Sequence, residues 1–369
     1  MKQPIETLHR VLRPAGGGVY VVTTGLSAQQ ALQRKVYGAD SNDDIENAWH
    51  RSLNALGDAR VAVLGVPCDA GAGFVRGSNQ APSAIRAHLF QQDTHPIWDS
   101  DVIDLGDVFT IPHLLSDDML SPIQLDACRR ALYGADEDRD RLPVSPLSIT
   151  ENVLRTVYRE NPNIRPVVIG GDHSVAWPAF LAAHRHWEVD QGRRLGLLHF
   201  DAHTDLLSER LGVRYCFATW AYHANELLGR DGRLVQVGIR VSGRDKAHWE
   251  QSLNVRQYWA DEAMKRGAKE LSDAIGDHFE SLGVDALYVS NDIDGTDPQW
   301  AAATGTPEDD GLDPDLVSEL TQNLATRFPL VGGDLVEVAP PLFNDKPGQP
   351  ERTLHTAGRY LSDLIQTYP

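Results

Sequence analysis

The amino-acid sequence predicts an α/β fold in which a central, mostly parallel sheet is covered by helices on both faces. Apolar runs that are too continuous to alternate recur along the chain, which is typical of strands buried on both faces. Helical stretches separate these runs, as expected where crossovers join parallel strands. With 369 residues, of which 41% are hydrophobic, the chain can bury a full core as one large domain or two modest ones.

The first strand of this sheet is expected at 61–66, where an apolar run ends in Pro67. The helix after it is expected at 82–89, because Pro82 is tolerated in a first turn and Ser83 can cap it. The same alternation predicts the remaining elements. Further strands are expected at 166–169, 195–200, 234–239, 286–290 and 330–338, and further helices at 43–56, 176–187, 261–282 and 314–328.

The first 58 residues lack this alternation of strands and helices. They contain three consecutive glycines at 16–18 and a β-prone stretch at 19–22. We therefore expect residues 1–58 to form an N-terminal extension and residues 59–369 to form the main domain.

Charge and cysteine content narrow the class of protein. The formal net charge of -18 disfavours nucleic acid and anionic membranes as partners and is compatible with a small cationic substrate. Three cysteines, none paired at metal-ligand spacing, favour a reducing compartment over a disulfide framework. The start of the sequence lacks the apolar core of a signal peptide, and no window is apolar enough to span a membrane. The expected location is cytoplasmic.

Three short clusters of carboxylates and histidines follow predicted strands, at 170–174, 201–205 and 291–294. Side chains at i, i+2 and i+4 of an extended segment share a face, so members of each cluster should converge. Open α/β sheets bind their ligands at the carboxyl ends of strands, where all three clusters lie. The candidate metal ligands are His173, Asp201, His203, Asp205, Asp292 and Asp294.

Each cluster also has a simpler interpretation as capping aspartates, a hydrogen-bonded histidine or a calcium loop. Their shared placement favours a metal site, and six ligands suit two divalent ions bridged by carboxylates. One workable arrangement gives both ions Asp201 and Asp292 as bridging ligands. The first ion then adds His173 and Asp205, and the second adds His203 and Asp294.

At these residues the sequence resembles the ureohydrolase family, which includes arginases and agmatinases. The family hallmarks GGDHS, DAHxD and SxDxDxxDP stand at 170–174, 201–205 and 290–298, and the likeness extends over roughly residues 60–365. The resemblance implies a three-layer αβα arginase-type fold, two divalent metal ions and a homotrimer or hexamer. It also implies that the extension outside the shared core contacts another subunit or forms a lid.

The resemblance further implies roles for individual side chains. Glu337 matches the family glutamate that receives the substrate guanidinium, a planar cation that needs a carboxylate acceptor. Asp205 is expected to accept a proton from the attacking water and pass it to the departing amine. Thr204 and Thr306 are candidate contacts in the substrate pocket.

The sequence departs from arginases and agmatinases near the expected substrate pocket. Leu206 and Leu207 follow DAHTD where arginases carry polar residues, and Phe217 stands where both carry a histidine. His223 is a candidate substitute for that histidine, although a histidine between aromatic residues is more often structural. A pocket lined by Leu206, Phe217 and Trp220 would favour a small or alkylated guanidine without a distal charge. This pattern resembles the nickel-dependent guanidine hydrolases and, next to them, the metformin hydrolases.

The sequence therefore predicts a metal-dependent hydrolase of linear C–N bonds in guanidine-type substrates, most simply guanidine hydrolysed to urea and ammonia. Nickel is the favoured metal and manganese the second choice. Alternatives are the active subunit of a metformin hydrolase, paired with a homologous chain, and an agmatinase- or guanidinobutyrase-like enzyme. Two alternatives come from other classes of protein. One is a deacetylase-like hydrolase with a single zinc, and the other is a catalytically silent subunit of a hetero-oligomer.

Overall fold

The computed structural model describes residues 4–19, 23–92, 99–136, 138–343 and 346–367. These residues form one sheet with strand order β1-β3-β2-β4-β9-β8-β5-β6-β7, in which only β1 runs antiparallel to its neighbour. The strands are β1 (Leu12–Arg13), β2 (Val61–Gly65), β3 (Val102–Val108), β4 (Arg165–Ile169), β5 (Leu195–Phe200), β6 (Leu234–Val237), β7 (Arg256–Tyr258), β8 (Ala286–Asp292) and β9 (Leu330–Val336).

Helices cover both faces of this sheet. The helices are α1 (Pro4–Val11), α2 (Leu26–Tyr37), α3 (Asn42–Asn54), α4 (Ala81–Leu89), α5 (Pro122–Tyr133), α6 (Pro146–Glu160), α7 (Ala176–Ala183), α8 (Trp220–Leu227), α9 (Lys246–Leu253), α10 (Ala260–Ser281), α11 (Pro298–Ala301), α12 (Pro314–Ala325) and α13 (Glu351–Gln366). Helices α6, α7 and α8 pack on one face, and α4, α10, α12 and α13 pack on the other.

The two faces of the sheet carry separate hydrophobic cores. Along β2, Ala62 and Leu64 belong to one core while Val61 and Val63 belong to the other. Consecutive side chains of a strand point to opposite faces, so a run that is apolar throughout feeds both cores. The expected three-layer αβα fold with a mostly parallel sheet is confirmed. No helix among the described residues combines the length and hydropathy that a membrane crossing requires.

Several elements differ from the sequence expectation. Ser83 is not a helix cap, because α4 begins two residues earlier and continues from a 3-10 turn at Ser78–Gln80. The helix expected at 176–187 is α-helical only to Ala183 and continues as a π-helical segment to Asp190. Helix α10 is interrupted at Gly267, which has a φ of 73°.

The N-terminal residues contain more regular structure than their composition suggested. Within 4–19 and 23–58, the described part of this segment, they form three helices and contribute β1, which pairs with β3 at the edge of the main sheet. Val19 forms a single bridge with Thr110, and the rest of the β-prone stretch at 20–22 lies outside the described residues. The glycines of this segment dock on β3, where Asp107 Oδ2 accepts from the backbone N–H of Gly16 at 2.8 Å. The extension is thus packed on the sheet within its own chain.

Candidate metal centre

The predicted metal ligands and Glu337 lie at one edge of the sheet. They lie at the carboxyl ends of β4, β5, β8 and β9 or in the segments that follow, and these are four adjacent parallel strands in the order β4-β9-β8-β5. Because carboxyl ends of parallel strands meet at one edge, motifs far apart in sequence come together there. Gly171 makes the turn after β4 possible, since a Cβ on it would lie 1.6 Å from the carbonyl oxygen of Cys68.

The first group of ligands surrounds His173, which is 1% exposed. Its Nδ1 lies 3.3 Å from Asp201 Oδ2, 3.2 Å from Asp205 Oδ2 and 3.0 Å from Asp292 Oδ2. This nitrogen is buried and has no hydrogen-bond partner. A buried imidazole nitrogen that faces three carboxylates without a hydrogen bond matches the donor set of a divalent cation.

The second group surrounds His203. Its Nδ1 lies 3.4 Å from Asp201 Oδ1 and 3.2 Å from Asp294 Oδ2. The two oxygens of Asp201 therefore face different histidines, as a carboxylate shared by two ions would. The side chain of His203 is 27% exposed, whereas those of Asp201 and Asp294 are 1% exposed, so the centre opens to solvent on the His203 side.

Backbone N–H groups hold the carboxylates in place. Asp201 Oδ1 accepts from His203 N at 2.6 Å, and Asp292 Oδ1 accepts from Asp294 N at 2.9 Å. Asp294 Oδ1 in turn accepts from Ala202 N at 3.1 Å, which ties the segment after β8 to the segment after β5. These bonds leave the opposite oxygens of Asp292 and Asp294 directed at His173 and His203.

The charges around the histidines favour a cation. Burial lowers the pKa of His173, but the carboxylates of Asp201, Asp205 and Asp292 outweigh it and raise that pKa well above its ordinary value. Burial, reinforced by the charges of Asp294 and Asp201, raises the pKa of Asp292 well above its ordinary value. The cluster thus holds more negative charge than its own side chains neutralise, and divalent ions bound there would compensate it.

His199 also belongs to this centre, although sequence reasoning missed it. Its Nε2 lies 2.8 Å from Asp201 Oδ2, and its Nδ1 lies 2.9 Å from Gln236 Nε2. Both ring nitrogens are therefore engaged, which makes His199 a support for Asp201 rather than a ligand. A signal was present, because His199 stands two residues before Asp201 at the end of a strand and so shares its face.

Two of the predicted catalytic residues adopt a strained backbone. Asp205 and Glu337 have φ values of 52° and 60°, a region that non-glycine residues seldom adopt. Glu337 Oε1 accepts from His173 N at 2.8 Å, so this carboxyl lies beside the first group of ligands. Burial, with the charges of Asp292 and Asp172, raises the pKa of Glu337 well above its ordinary value.

Comparison with known proteins identifies the family. The sequence model of the Arginase family matches residues 59–365. The chain belongs to the arginase family. It is 29% identical to the guanidinobutyrase of Pseudomonas aeruginosa over 76% of this chain and 79% of that protein. It is 32% identical to the mitochondrial agmatinase of Gallus gallus over 76% of this chain and 74% of that protein.

The fold of this arginase-family chain also matches solved structures. The proclavaminate amidino hydrolase from Streptomyces clavuligerus superposes with a TM-score of 0.64 at 26% sequence identity. The superposition covers 84% of this chain and 92% of that one.

The residues expected to line the substrate pocket separate into two sets. Leu206 and Trp220 are 3% and 0% exposed and pack in the hydrophobic core. Trp220 instead supports the metal centre, because its Nε1 donates to Asp205 Oδ2 at 3.1 Å and its ring lies 4.6 Å from that of His173. Leu207, in contrast, is 45% exposed.

Phe217 lines a cavity of about 810 Å³, formed by the segments around residues 70–76, 112–120 and 210–217. A Cβ built on Gly73 would lie 3.0 Å from the Phe217 ring. The ring therefore reaches from the segment at 210–217 to the segment at 70–76. Among the described residues that line this cavity there is no predicted metal ligand and no Glu337. Gly71, another lining residue, donates its backbone N–H to Asp172 Oδ2 at 2.9 Å, so the cavity adjoins the turn that carries His173.

The remaining predicted site residues have distinct positions. Thr306 Oγ1 donates to Asp294 Oδ2 at 2.9 Å and so contacts the second group of ligands. The backbone oxygen of Thr204 accepts from Gln236 Nε2 at 2.7 Å. His223 is not brought to the metal centre, since its Nε2 lies 3.0 Å from the Arg214 carbonyl oxygen and its ring packs against Trp177, Tyr215 and Tyr222.

Proposed function

We propose that this chain hydrolyses a linear C–N bond of a small guanidine-type substrate, with free guanidine as the preferred substrate. The observation that carries the proposal is the pair of histidine–carboxylate groups that share Asp201, with Glu337 alongside. A second group around His203 argues against a single-zinc, deacetylase-like site, because one ion would leave Asp294 and His203 without a role.

His173, Asp201, Asp205 and Asp292 would hold one ion, and Asp201, His203, Asp292 and Asp294 would hold the other. When bound, two divalent ions supply a water acidic enough to be activated for hydrolysis near neutral pH. We favour nickel because carboxylate and imidazole ligands bind it more tightly than manganese. Manganese is the second choice.

Glu337 is the proposed anchor of the substrate guanidinium. Glu337 is 8% exposed, and its carboxyl accepts a hydrogen bond from the His173 N–H. A guanidinium bound next to it would stabilise the anionic form against the burial that raises its pKa, so binding and ionisation would support each other. A planar guanidinium can donate two parallel hydrogen bonds to a carboxylate, which also orients its carbon.

Asp205 is the proposed proton carrier. It would take a proton from the attacking water and deliver it to the nitrogen that leaves as amine. Asp205 Oδ2 accepts from Trp220 Nε1 at 3.1 Å and lies 3.2 Å from His173 Nδ1, so both side chains contact this oxygen. For guanidine and one water the balanced products are urea and ammonia, and for metformin they are guanylurea and dimethylamine.

The Phe217 ring supports a compact substrate. The proposal places this ring, which reaches across to Gly73, at the boundary between the metal centre and the outer cavity. A substrate with a long tail would then have to displace it. Free guanidine has no tail. A guanidino acid is the second candidate, because Arg76, Arg210 and His113 line that outer cavity and no acidic side chain is among its described lining residues. The same lining disfavours agmatine, whose distal amine is cationic.

A substrate panel tests the proposal. The purified chain, loaded in parallel with nickel or manganese, is incubated with guanidine, metformin, agmatine, 4-guanidinobutyrate and arginine, and the released amine and the carbon product are identified. We expect urea and ammonia from guanidine at the highest kcat/KM, with two metal ions per chain. Turnover of 4-guanidinobutyrate with guanidine left intact would contradict the assignment to free guanidine.

The variant F217A tests the role of the ring in this selection. Opening the boundary should raise the kcat/KM for 4-guanidinobutyrate or metformin relative to guanidine by roughly tenfold or more. The matched control is F74A, because Phe74 also lines the outer cavity but is 97% exposed. An unchanged substrate ratio in F217A would show that Phe217 does not exclude larger substrates.

The assembly and the location of the protein also stay predictions. We expect a homotrimer or hexamer in the cytoplasm. If turnover required co-expression with a homologous chain, the active subunit of a metformin hydrolase would become the better assignment.

A further inference from the structure

A buried row of polar side chains crosses three strands and ends at Asp201. Gln236 on β6 lies opposite His199 on β5 and opposite Gln257 on β7, so the three residues form one rung across the sheet. All three are 0% exposed. Buried side-chain amides are costly unless they are paired, so such a row demands a complete set of partners.

The row is continuously hydrogen bonded. Trp259 Nε1 donates to Gln257 Oε1 at 3.0 Å, and Gln257 Nε2 donates to Gln236 Oε1 at 2.8 Å. Gln236 Nε2 contacts His199 Nδ1 at 2.9 Å, and His199 Nε2 contacts Asp201 Oδ2 at 2.8 Å.

The chemistry of Trp259 gives this row a direction. An indole N–H can only donate, so the Gln257 atom facing it must be the carbonyl oxygen. The amide nitrogen of Gln257 then donates to Gln236, whose own amide nitrogen must donate to His199. The Nδ1 of His199 is therefore the acceptor, and the ring proton must be on Nε2, where it is donated to Asp201.

We propose that Trp259, Gln257, Gln236 and His199 form a positioning row that fixes the tautomer of His199 and thereby orients Asp201. Asp201 Oδ2 faces His173 while its Oδ1 faces His203, so rotation of this one carboxylate would disturb both groups of ligands. A neutral Nε2–H donor holds the carboxylate in the shared orientation. The inference rests on the proposed metal centre but concerns residues that touch neither metal nor substrate.

A second bond extends the effect of the row to the ligand loop. The other hydrogen of Gln236 Nε2 is donated to the backbone oxygen of Thr204 at 2.7 Å. Thr204 lies between His203 and Asp205, so the same amide anchors the backbone that presents both ligands. Gln236 is consequently the member whose replacement should have the largest effect.

The variants Q236E and W259F test the row. In Q236E an acceptor replaces the donor, so Nδ1 must carry a proton to pair with the new carboxylate, and the neutral Nε2–H tautomer is lost. In W259F the indole donor of the row is lost, but the Thr204 backbone oxygen, which can only accept, still orients the Gln236 amide. The matched control is W249F, because Trp249 Nε1 donates to Ser242 outside the row, at 2.9 Å.

Two measurements on the full-length chain are independent of turnover. The first is the 15N chemical shift of the His199 ring in metal-free protein labelled at histidine, which reports the tautomer directly. The second is the dissociation constant for nickel or manganese measured by titration calorimetry. We expect an Nε2–H tautomer in the wild type and in W249F, and loss of that signature in Q236E, with metal binding weaker by roughly 10- to 100-fold. W259F should keep the Nε2–H tautomer, because Thr204 still orients Gln236, and should lose less metal affinity than Q236E.

The outcomes separate this inference from the proposed function. A wild-type His199 protonated on Nδ1 would overturn it, as would a folded Q236E with wild-type tautomer and metal affinity. If Q236E does not fold, the tautomer of His199 in the wild type decides. Failure of guanidine turnover in wild-type protein that binds two metals would contradict the proposed substrate and leave the row intact.

Discussion

Replacing Trp220 by phenylalanine tests whether Asp205 carries the proton in the proposed reaction. The change removes one hydrogen bond, from Nε1 to Asp205 Oδ2 at 3.1 Å, and keeps a ring against His173. A hydrogen bond to a charged group contributes about 1.5–3 kcal/mol. About 1.4 kcal/mol corresponds to a factor of ten in rate. Loss of this hydrogen bond should therefore lower kcat by roughly 10- to 150-fold if Asp205 must be held in place for proton transfer.

The assay for W220F is steady-state kinetics on the metal-saturated protein, with metal content measured on the same sample. Glu337, not Asp205, is the proposed guanidinium anchor, so KM should change little while kcat falls. W249F is again the control, because it removes an indole hydrogen bond outside the metal centre. A folded W220F with two metals per chain and a kcat within twofold of wild type would refute the assigned role of Asp205.

Two further predictions concern stability. R86M should lower the free energy of unfolding by about 3–5 kcal/mol in chemical denaturation, because it leaves the buried Asp104 and Asp107 without their cation. Adding D104N and D107N to R86M should restore part of the lost stability. The raised pKa of Glu337 means that the metal-free folded chain keeps a proton that the unfolded chain releases above about pH 4.5. This stabilisation is lost as pH rises, so the unfolding free energy should fall less steeply between about pH 5 and 7 in E337Q than in the wild type. Equal pH dependence of the two proteins would contradict the prediction.

The strands that carry the ligands could be predicted because their sequences are apolar throughout. β5 has the expected bounds, and β8 and β9 differ from expectation only at their ends. Such strands are buried on both faces, so their hydrophobicity alone distinguishes them from loops.

β3 shows where this reasoning fails. Its seven residues are all buried but include Asp104 and Asp107. These two charges interrupt the apolar run that predicts a buried strand, so no strand was predicted there. Arg86 on α4 compensates both carboxylates, with Nη2 2.8 Å from Asp104 and Nη1 2.5 Å from Asp107. A partner that lies in another element cannot be recognised from the strand itself, because the pairing exists only in the folded chain.

The supporting residues of the metal centre were missed for a similar reason. Gln236 and Gln257 have no local sign of a role, because only the register of β5, β6 and β7 aligns them with His199. Trp220 and Leu206 were assigned to the substrate pocket from their distance along the chain after DAHTD. Sequence distance does not give the direction of a side chain, and both point into the core.

The motifs were informative because each encodes a backbone path together with its ligands. Gly171 is confined by the backbone of Cys68, which fixes the turn that carries His173, and the N–H groups after Asp201 and Asp292 bind the carboxylates that precede them. This short-range geometry is determined by residues within one motif, so the motif predicts it. The proposed substrate selection depends instead on contacts between loops, such as that of Phe217 with Gly73, which no single motif contains. The family is consequently readable from sequence, whereas the choice among guanidines depends on loop geometry and must be measured.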